Sequence, residues 1–107
     1  MASAVKHISS KKELEDIIKG DKLVVCDFYA TWCGPCKVLG TKLEALAKEN
    51  IDVVFVKVDV DELEDLAQEH DILAMPTIVI FKKGASVARS IGAAIEKVKT
   101  EIAKHSS

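Results

Sequence analysis

Leu23 to Tyr29 reads Leu-Val-Val-Cys-Asp-Phe-Tyr, a run that is apolar except at Asp27 and rich in strand-forming residues. A run of this kind belongs to a central strand covered on both faces, and packed helices supply such cover. The segments around it alternate to match. Val5 to Ile8 predicts a short strand, and Ser10-Lys11-Lys12-Glu13 has the spacing of a capping box ahead of Leu14, Ile17 and Ile18 on one helical face, which ends by Gly20. A helix from Gly34 to Glu49 follows the apolar run, with Leu39, Leu43, Leu46 and Ala47 as its buried stripe. Val53 to Val58 predicts the next strand. Asp61, with Glu64 three residues on, predicts the cap of a short helix that carries Leu63, Leu66 and Ala67 and ends near His70. Thr77 to Phe81 and Val87 to Ile91 predict an antiparallel hairpin joined by Lys82 to Ser86 around Gly84, and Ile95, Val98 and Ile102 mark a last helix. The order βαβαβαββα, with long crossovers early and a tight hairpin late, predicts an α/β fold with five strands in a mixed sheet and four helices on both of its faces. No linker-like stretch, repeat or charge block interrupts the chain, so a single domain over 1–107 is expected.

Charge and hydropathy exclude whole classes of partner. Fifteen Lys and Arg against 17 Asp and Glu give a net charge of −2, with no basic surplus to neutralise a phosphate backbone, so no nucleic acid is expected. The apolar run around Asp27 is far short of the roughly 20 residues that a membrane span requires, so no membrane is expected either. Met1 to Ser10 carries only Lys6 as a positive charge and has no apolar core of a secretory signal, so a cytoplasmic location is expected.

The three cysteines cannot form a secreted disulfide framework, because one is left over and the other two, Cys33 and Cys36, lie three positions apart. Their use is chemical. At the start of a helix, positions i and i+3 share a face with Cβ atoms about 5 to 6 Å apart, and a modest adjustment brings two sulfurs within bonding reach. Cys33, at or beside the N-cap, meets unpaired N–H groups and the positive end of the helix dipole, which favour its thiolate and make it the nucleophile. Cys36, one turn deeper and more shielded, suits the resolving thiol. Pro35 falls in the first turn, where its missing N–H costs nothing. The rival use, structural zinc, needs four ligands, whereas His7, His70 and His105 are scattered and Cys26 stands alone. No metal is expected.

Asp27-Phe28-Tyr29-Ala30-Thr31-Trp32-Cys33-Gly34-Pro35-Cys36-Lys37, Lys57-Val58-Asp59-Val60-Asp61, Met75-Pro76-Thr77 and Ile91-Gly92-Ala93 together resemble the thioredoxin family, in its eukaryotic cytosolic type, over nearly the whole chain. The resemblance implies a thioredoxin fold of three α/β/α layers around the five-stranded sheet. It implies a protein-disulfide reductase with no bound cofactor and a redox-active Cys33–Cys36 disulfide, recharged by a thioredoxin reductase that uses NADPH. Targets would be disulfide-containing proteins such as peroxiredoxins, approached by a monomer. The alternative from another class is a binding module whose dithiol switches its affinity; a disulfide oxidant or isomerase is disfavoured by the Gly34-Pro35 spacer.

Asp27 cannot be buried ionised without a partner or a raised pKa. It is either a structural acid or, as the resemblance implies, the acid that exchanges protons with Cys36. Lys57 is either a snorkelling side chain or the lysine found near that acid in some relatives. The resemblance also implies a cis Pro76, a Met75 backbone that pairs with an extended target, and a target surface of Trp32, Gly34, Pro35, Met75, Pro76 and Gly92. Trp32, beside a reactive thiol with no apolar stripe after it, reads as a contact platform. Gly92 either serves only a strand end or, as the resemblance implies, lies at the rim of the target groove, where a side chain would obstruct backbone approach. Asp61 is expected to cap its helix first and to bond the Trp32 indole second, while Cys26 should fill the core on the face opposite Asp27. Thr41, after Gly40, stands where relatives usually have a proline that kinks the second helix, and Ala74 stands where some vertebrate relatives have a cysteine.

Overall fold

The computed structural model describes residues 3–106. Met1 and Ala2 of the predicted N-terminal segment, and Ser107 at the end of the predicted domain, lie outside the described residues. The elements follow the expected order: β1 (Lys6–His7), α1 (Lys11–Ile18), β2 (Val24–Tyr29), α2 (Gly34–Glu49), β3 (Val54–Asp59), α3 (Glu64–Glu69), β4 (Thr77–Lys82), β5 (Ala85–Ile91) and α4 (Ile95–His105). The sheet runs β1-β3-β2-β4-β5, with β1, β3 and β2 parallel and β4 and β5 antiparallel.

Alternation along β2 builds two cores. Val24, Cys26 and Phe28 pack with Leu14 and Ile18 of α1 and Leu66 of α3, while Val25 packs with Leu39, Leu43 and Leu46 of α2 and Val98 and Ile102 of α4. The predicted stripe of α2 is buried as read, with Cys36 added to it. Asp27 shares Val25's face. One row across the sheet pairs Lys57 with Asp27, Asp27 with Ile78 and Ile78 with Ser90, so the lysine and the acid are direct neighbours on that face.

Local chemistry sets the ends. Ser10 caps α1, its hydroxyl accepting from the Glu13 N–H at 3.2 Å, and the Glu13 carboxylate reaches back to the Ser9 N–H at 2.7 Å. The predicted cap at Asp61 is not formed. Helix α3 begins only at Glu64, its N-cap is Leu63, and no side chain caps it. The intervening turn is organised by Asp59, whose carboxylate accepts from the Asp61 N–H at 2.9 Å and whose carbonyl accepts from Leu63. A cap must stand directly before the first helical turn, and this turn separates Asp61 from it.

The β4–β5 turn is tighter than predicted. Lys83 and Gly84 both have positive φ, 51° and 86°, which matches the twist of a two-residue hairpin. Between Ile80 and Phe81 the register slips, leaving Val87 as the unpaired residue of a bulge.

Helix α2 is continuous through Gly40 and Thr41. The Thr41 hydroxyl donates to the Lys37 carbonyl at 3.2 Å, the acceptor that a proline at this position would deprive of its backbone donor. A Cβ added at Gly40 would meet no atom within 4 Å. Gly40→Ala should therefore raise stability by about 0.5–1 kcal/mol through helix propensity alone, read as a higher denaturant midpoint at unchanged slope; a fall would mean that the helix needs the glycine.

Candidate active site

The turn from β2 into α2 carries the dithiol. Cys33 is the N-cap of α2 in extended backbone, Pro35 lies in the first turn, and the Cys36 N–H donates to Cys33 Sγ at 3.2 Å. Cys33 and Cys36 are joined as a disulfide with Cα atoms 5.2 Å apart. Burial does not separate the two, as shielding of Cys36 alone had predicted: they are 6% and 4% exposed. What separates them is surroundings. The Cys33 sulfur takes the first-turn amide and lies 3.8 Å from the Met75 carbonyl oxygen, whereas Cys36 lines a cleft of about 290 Å³ together with Asp27, Tyr29, Lys37, Gly40 and Lys57.

That cleft holds the charge chemistry. Asp27 is buried, and its Oδ1 has no hydrogen-bond partner among the described residues. Loss of hydration pushes its pKa up to about 7, against a smaller opposing pull from the Lys57 ammonium. Lys57 Nζ sits 5.9 Å from the centroid of the Tyr29 ring, a cation–π distance. The role of Tyr29 in seating the lysine was missed from sequence, although its i+2 spacing from Asp27 on one strand already placed both side chains on one face.

Of the predicted target-surface residues, Trp32, Gly34 and Pro35 are exposed, Met75 and Gly92 are half-buried, and Pro76 is buried. The Met75–Pro76 bond is cis, and Met75 packs against Ala30, Cys33 and Cys36. Trp32 is 68% exposed, and its indole N–H donates to Asp61 Oδ2 at 2.9 Å, so Asp61 serves the tryptophan rather than the helix. Gly92 has φ 94° and donates its N–H to the Pro76 carbonyl at 2.8 Å. A Cβ there would meet no atom within 4 Å, so inside this chain the reason for glycine is its left-handed backbone. Leu73 and Ile91, close in the chain to Met75 and Gly92, are 94% and 65% exposed, and the sequence carried no signal of that exposure.

Cys26 is fully buried in the α1/α3 core, and desolvation raises its thiol well above the ordinary value, with the Asp27 charge adding to the effect. It is the inert filler predicted. Among the described residues no group of three or more His, Cys, Asp and Glu could hold a metal ion, and no helix is long and apolar enough to cross a membrane.

Comparison with known proteins decides the family. The thioredoxin family model matches residues 5–104. The chain belongs to the thioredoxin family. A thioredoxin of Echinococcus granulosus is 59% identical over 80 residues, covering 75% of each chain. The crystal structure of a Nicotiana alata thioredoxin superposes with a TM-score of 0.93 at 40% identity, covering all of this chain and 96% of that one. Another solved chain, from a study of the thiol-resolving mechanism of a yeast mitochondrial 1-Cys peroxiredoxin via glutathione and thioredoxin systems, gives a TM-score of 0.89 at 39% identity over 94% of each chain. The three-layer mixed sheet is thus the thioredoxin fold, and the activity is protein-disulfide oxidoreduction through the Cys33–Cys36 pair.

Two outcomes follow from this geometry. In the reduced native protein near pH 7, an alkylating agent should label Cys33 well ahead of Cys36 and Cys26, because only its sulfur faces a free first-turn amide; mass spectrometry identifies the first site, and initial labelling of Cys36 would reverse the assignment. Asp27 should make stability depend on pH. Its folded pKa, about 7, lies above the unfolded reference of 3.8, so its contribution is fully present below pH 3.8 and is lost as pH rises through 7. Asp27→Asn should accordingly stabilise the protein by up to about 4 kcal/mol at pH 8, with the gain shrinking as pH falls from 7 and gone near pH 3.8, as read from denaturant midpoints across pH.

Proposed function

We propose that this thioredoxin, acting as a monomeric single domain, reduces protein disulfides by a two-step exchange in which Asp27 manages the proton of the resolving thiol. The observation that carries the reading is the shared cleft: Cys36 and the Asp27 carboxyl line one space beneath the dithiol, and Asp27 titrates near neutrality.

In the first step the Cys33 thiolate attacks one sulfur of a target disulfide, forming a Cys33–target bond and releasing the other target sulfur as a thiolate. In the second, the Cys36 thiol gives its proton to the Asp27 carboxylate and attacks Cys33, closing the Cys33–Cys36 disulfide and expelling the second target sulfur, which takes up a proton. The target gains two electrons and the protein loses two. Lys57, adjacent to Asp27 in register, favours the carboxylate form that accepts the proton.

The target lies over Trp32, Gly34, Pro35, Met75, Pro76 and Gly92. Gly34, Pro35 and Trp32 are exposed, and the open space above Gly92 admits an extended backbone. Peroxiredoxins are a target class in keeping with the solved relative studied in that context. Recharging runs from NADPH through a thioredoxin reductase, in a reducing compartment such as the cytoplasm, where dithiols stay reduced.

The test is paired. NADPH oxidation should proceed with a thioredoxin reductase and a protein disulfide and should stop in Cys33→Ser. A trapped Cys33 mixed disulfide should decay at least about tenfold more slowly in Asp27→Asn near pH 7, given the usual worth of a positioned base. Decay at the wild-type rate would reduce Asp27 to a structural acid.

A further inference from the structure

A second cleft, also of about 290 Å³, lies on the outer side of Asp27 and Lys57. It shares Asp27, Lys37, Gly40 and Lys57 with the dithiol cleft, and Val5 and Glu44 complete its outer rim. Gly40, with no atom near its missing Cβ, leaves the α2 wall between the two clefts low.

Glu44 stands at the rim as a clamp. Its carboxylate accepts from the backbone N–H of Ala4 at 3.0 Å, from that of Val5 at 3.3 Å and from the Ser3 hydroxyl, so it ties the N-terminal segment to α2. These bonds, led by that from Ser3, hold the carboxyl below its usual pKa, with Lys57 adding to the effect. The acid is therefore ionised at neutral pH. Lys57 lines this cleft together with two carboxyls, Asp27 and Glu44, and its charge acts on both.

We propose that Glu44 is a positioning residue for the resolution step, its charge at the rim of the cleft that it lines with Lys57 and Asp27 dividing the attraction of the Lys57 ammonium between two carboxyls. The proposal rests on the reading of Asp27 as the proton acceptor for Cys36. Without Glu44's charge, Lys57 would act on Asp27 undivided, and a like charge would be gone from the same cleft. Both changes favour the Asp27 carboxylate and move its titration to lower pH. The other groups around Asp27 do not duplicate this influence. Lys37 and Cys36 come from α2, Lys57 from β3 and Tyr29 from Asp27's own strand; Ile78 and Ser90, in its row on β4 and β5, and Val5 carry no charge.

Two substitutions separate charge from tether. Glu44→Gln loses the charge and one of the two oxygens that accept from the Ala4 and Val5 amides, whereas Glu44→Asp keeps the charge and shortens the reach, so both loosen the tether and only the first removes the charge. The first readout is the carbon-13 NMR titration of the Asp27 carboxyl in the oxidised full-length protein at low salt, where neither active-site sulfur titrates. Glu44→Gln should lower the midpoint by about 0.5 pH unit, Glu44→Asp should leave it in place, and the difference should collapse in 1 M salt. The Gln shift should largely vanish in a Lys57→Met background. A shift in the Asp variant as large as in the Gln variant would assign the effect to the tether and overturn the proposal. An undiminished shift without Lys57 would overturn its route. The second readout is the pH profile of mixed-disulfide decay, which should move with the NMR midpoint. An NMR shift beside an unmoved decay profile would defeat the proposal through its premise, by removing Asp27 from the resolution step, whereas no NMR shift defeats it while leaving that premise intact.

Discussion

Between α1 and α3 on one side and α2 and α4 on the other, β2 has little contact with water on either face, and its one carboxylic acid is enclosed with it. The strand must be central because its apolar side chains alternate into two cores. Asp27 is then held where little hydration reaches it, beside the second cysteine in the same cleft. Desolvation outweighs the attraction of Lys57, and the acid titrates near neutrality. The same burial that makes the fold's central strand thus supplies a group able to gain or lose a proton under working conditions.

The end of that strand sets the sulfur chemistry. Where β2 stops at Tyr29, the chain turns through Ala30 to Trp32 and enters α2 with Cys33 as its cap. The sulfur occupies the place usually taken by a serine or aspartate oxygen, so the amide that would satisfy a structural cap instead stabilises a thiolate. Pro35 asks for no partner in the first turn. A helix cap and a nucleophile are here one atom.

The two clefts on either side of Asp27 and Lys57 make the interior acid open to influence from the surface. Charges at the rim act through a partly apolar wall, where they are less screened than on open surface. Gly40 and the clamp at Glu44 belong to α2 as much as Cys36 does, so one helix carries the resolving thiol and the groups that frame the outer approach to its acid.

Sequence by itself determined the element order, the two-faced burial of β2, the stripe of α2 and the dithiol at a helix start, because each depends on periodicity or on neighbours a few residues apart. Asp27 was legible as an anomaly for the same reason: one carboxylate in an apolar run needs a cause. The tertiary structure alone decided what meets what. Asp61 could be read as a helix cap because its spacing to Glu64 is local, yet the turn built by Asp59 moves the helix start and gives Asp61 to Trp32, 29 positions away. Lys57 and Asp27 became neighbours through parallel strand register, Tyr29 seats that lysine across the same pair, and Glu44 reaches back 40 positions to Ala4. Such contacts are set by how strands align and helices pack over a shared core, and no short-range pattern in the chain carries that information.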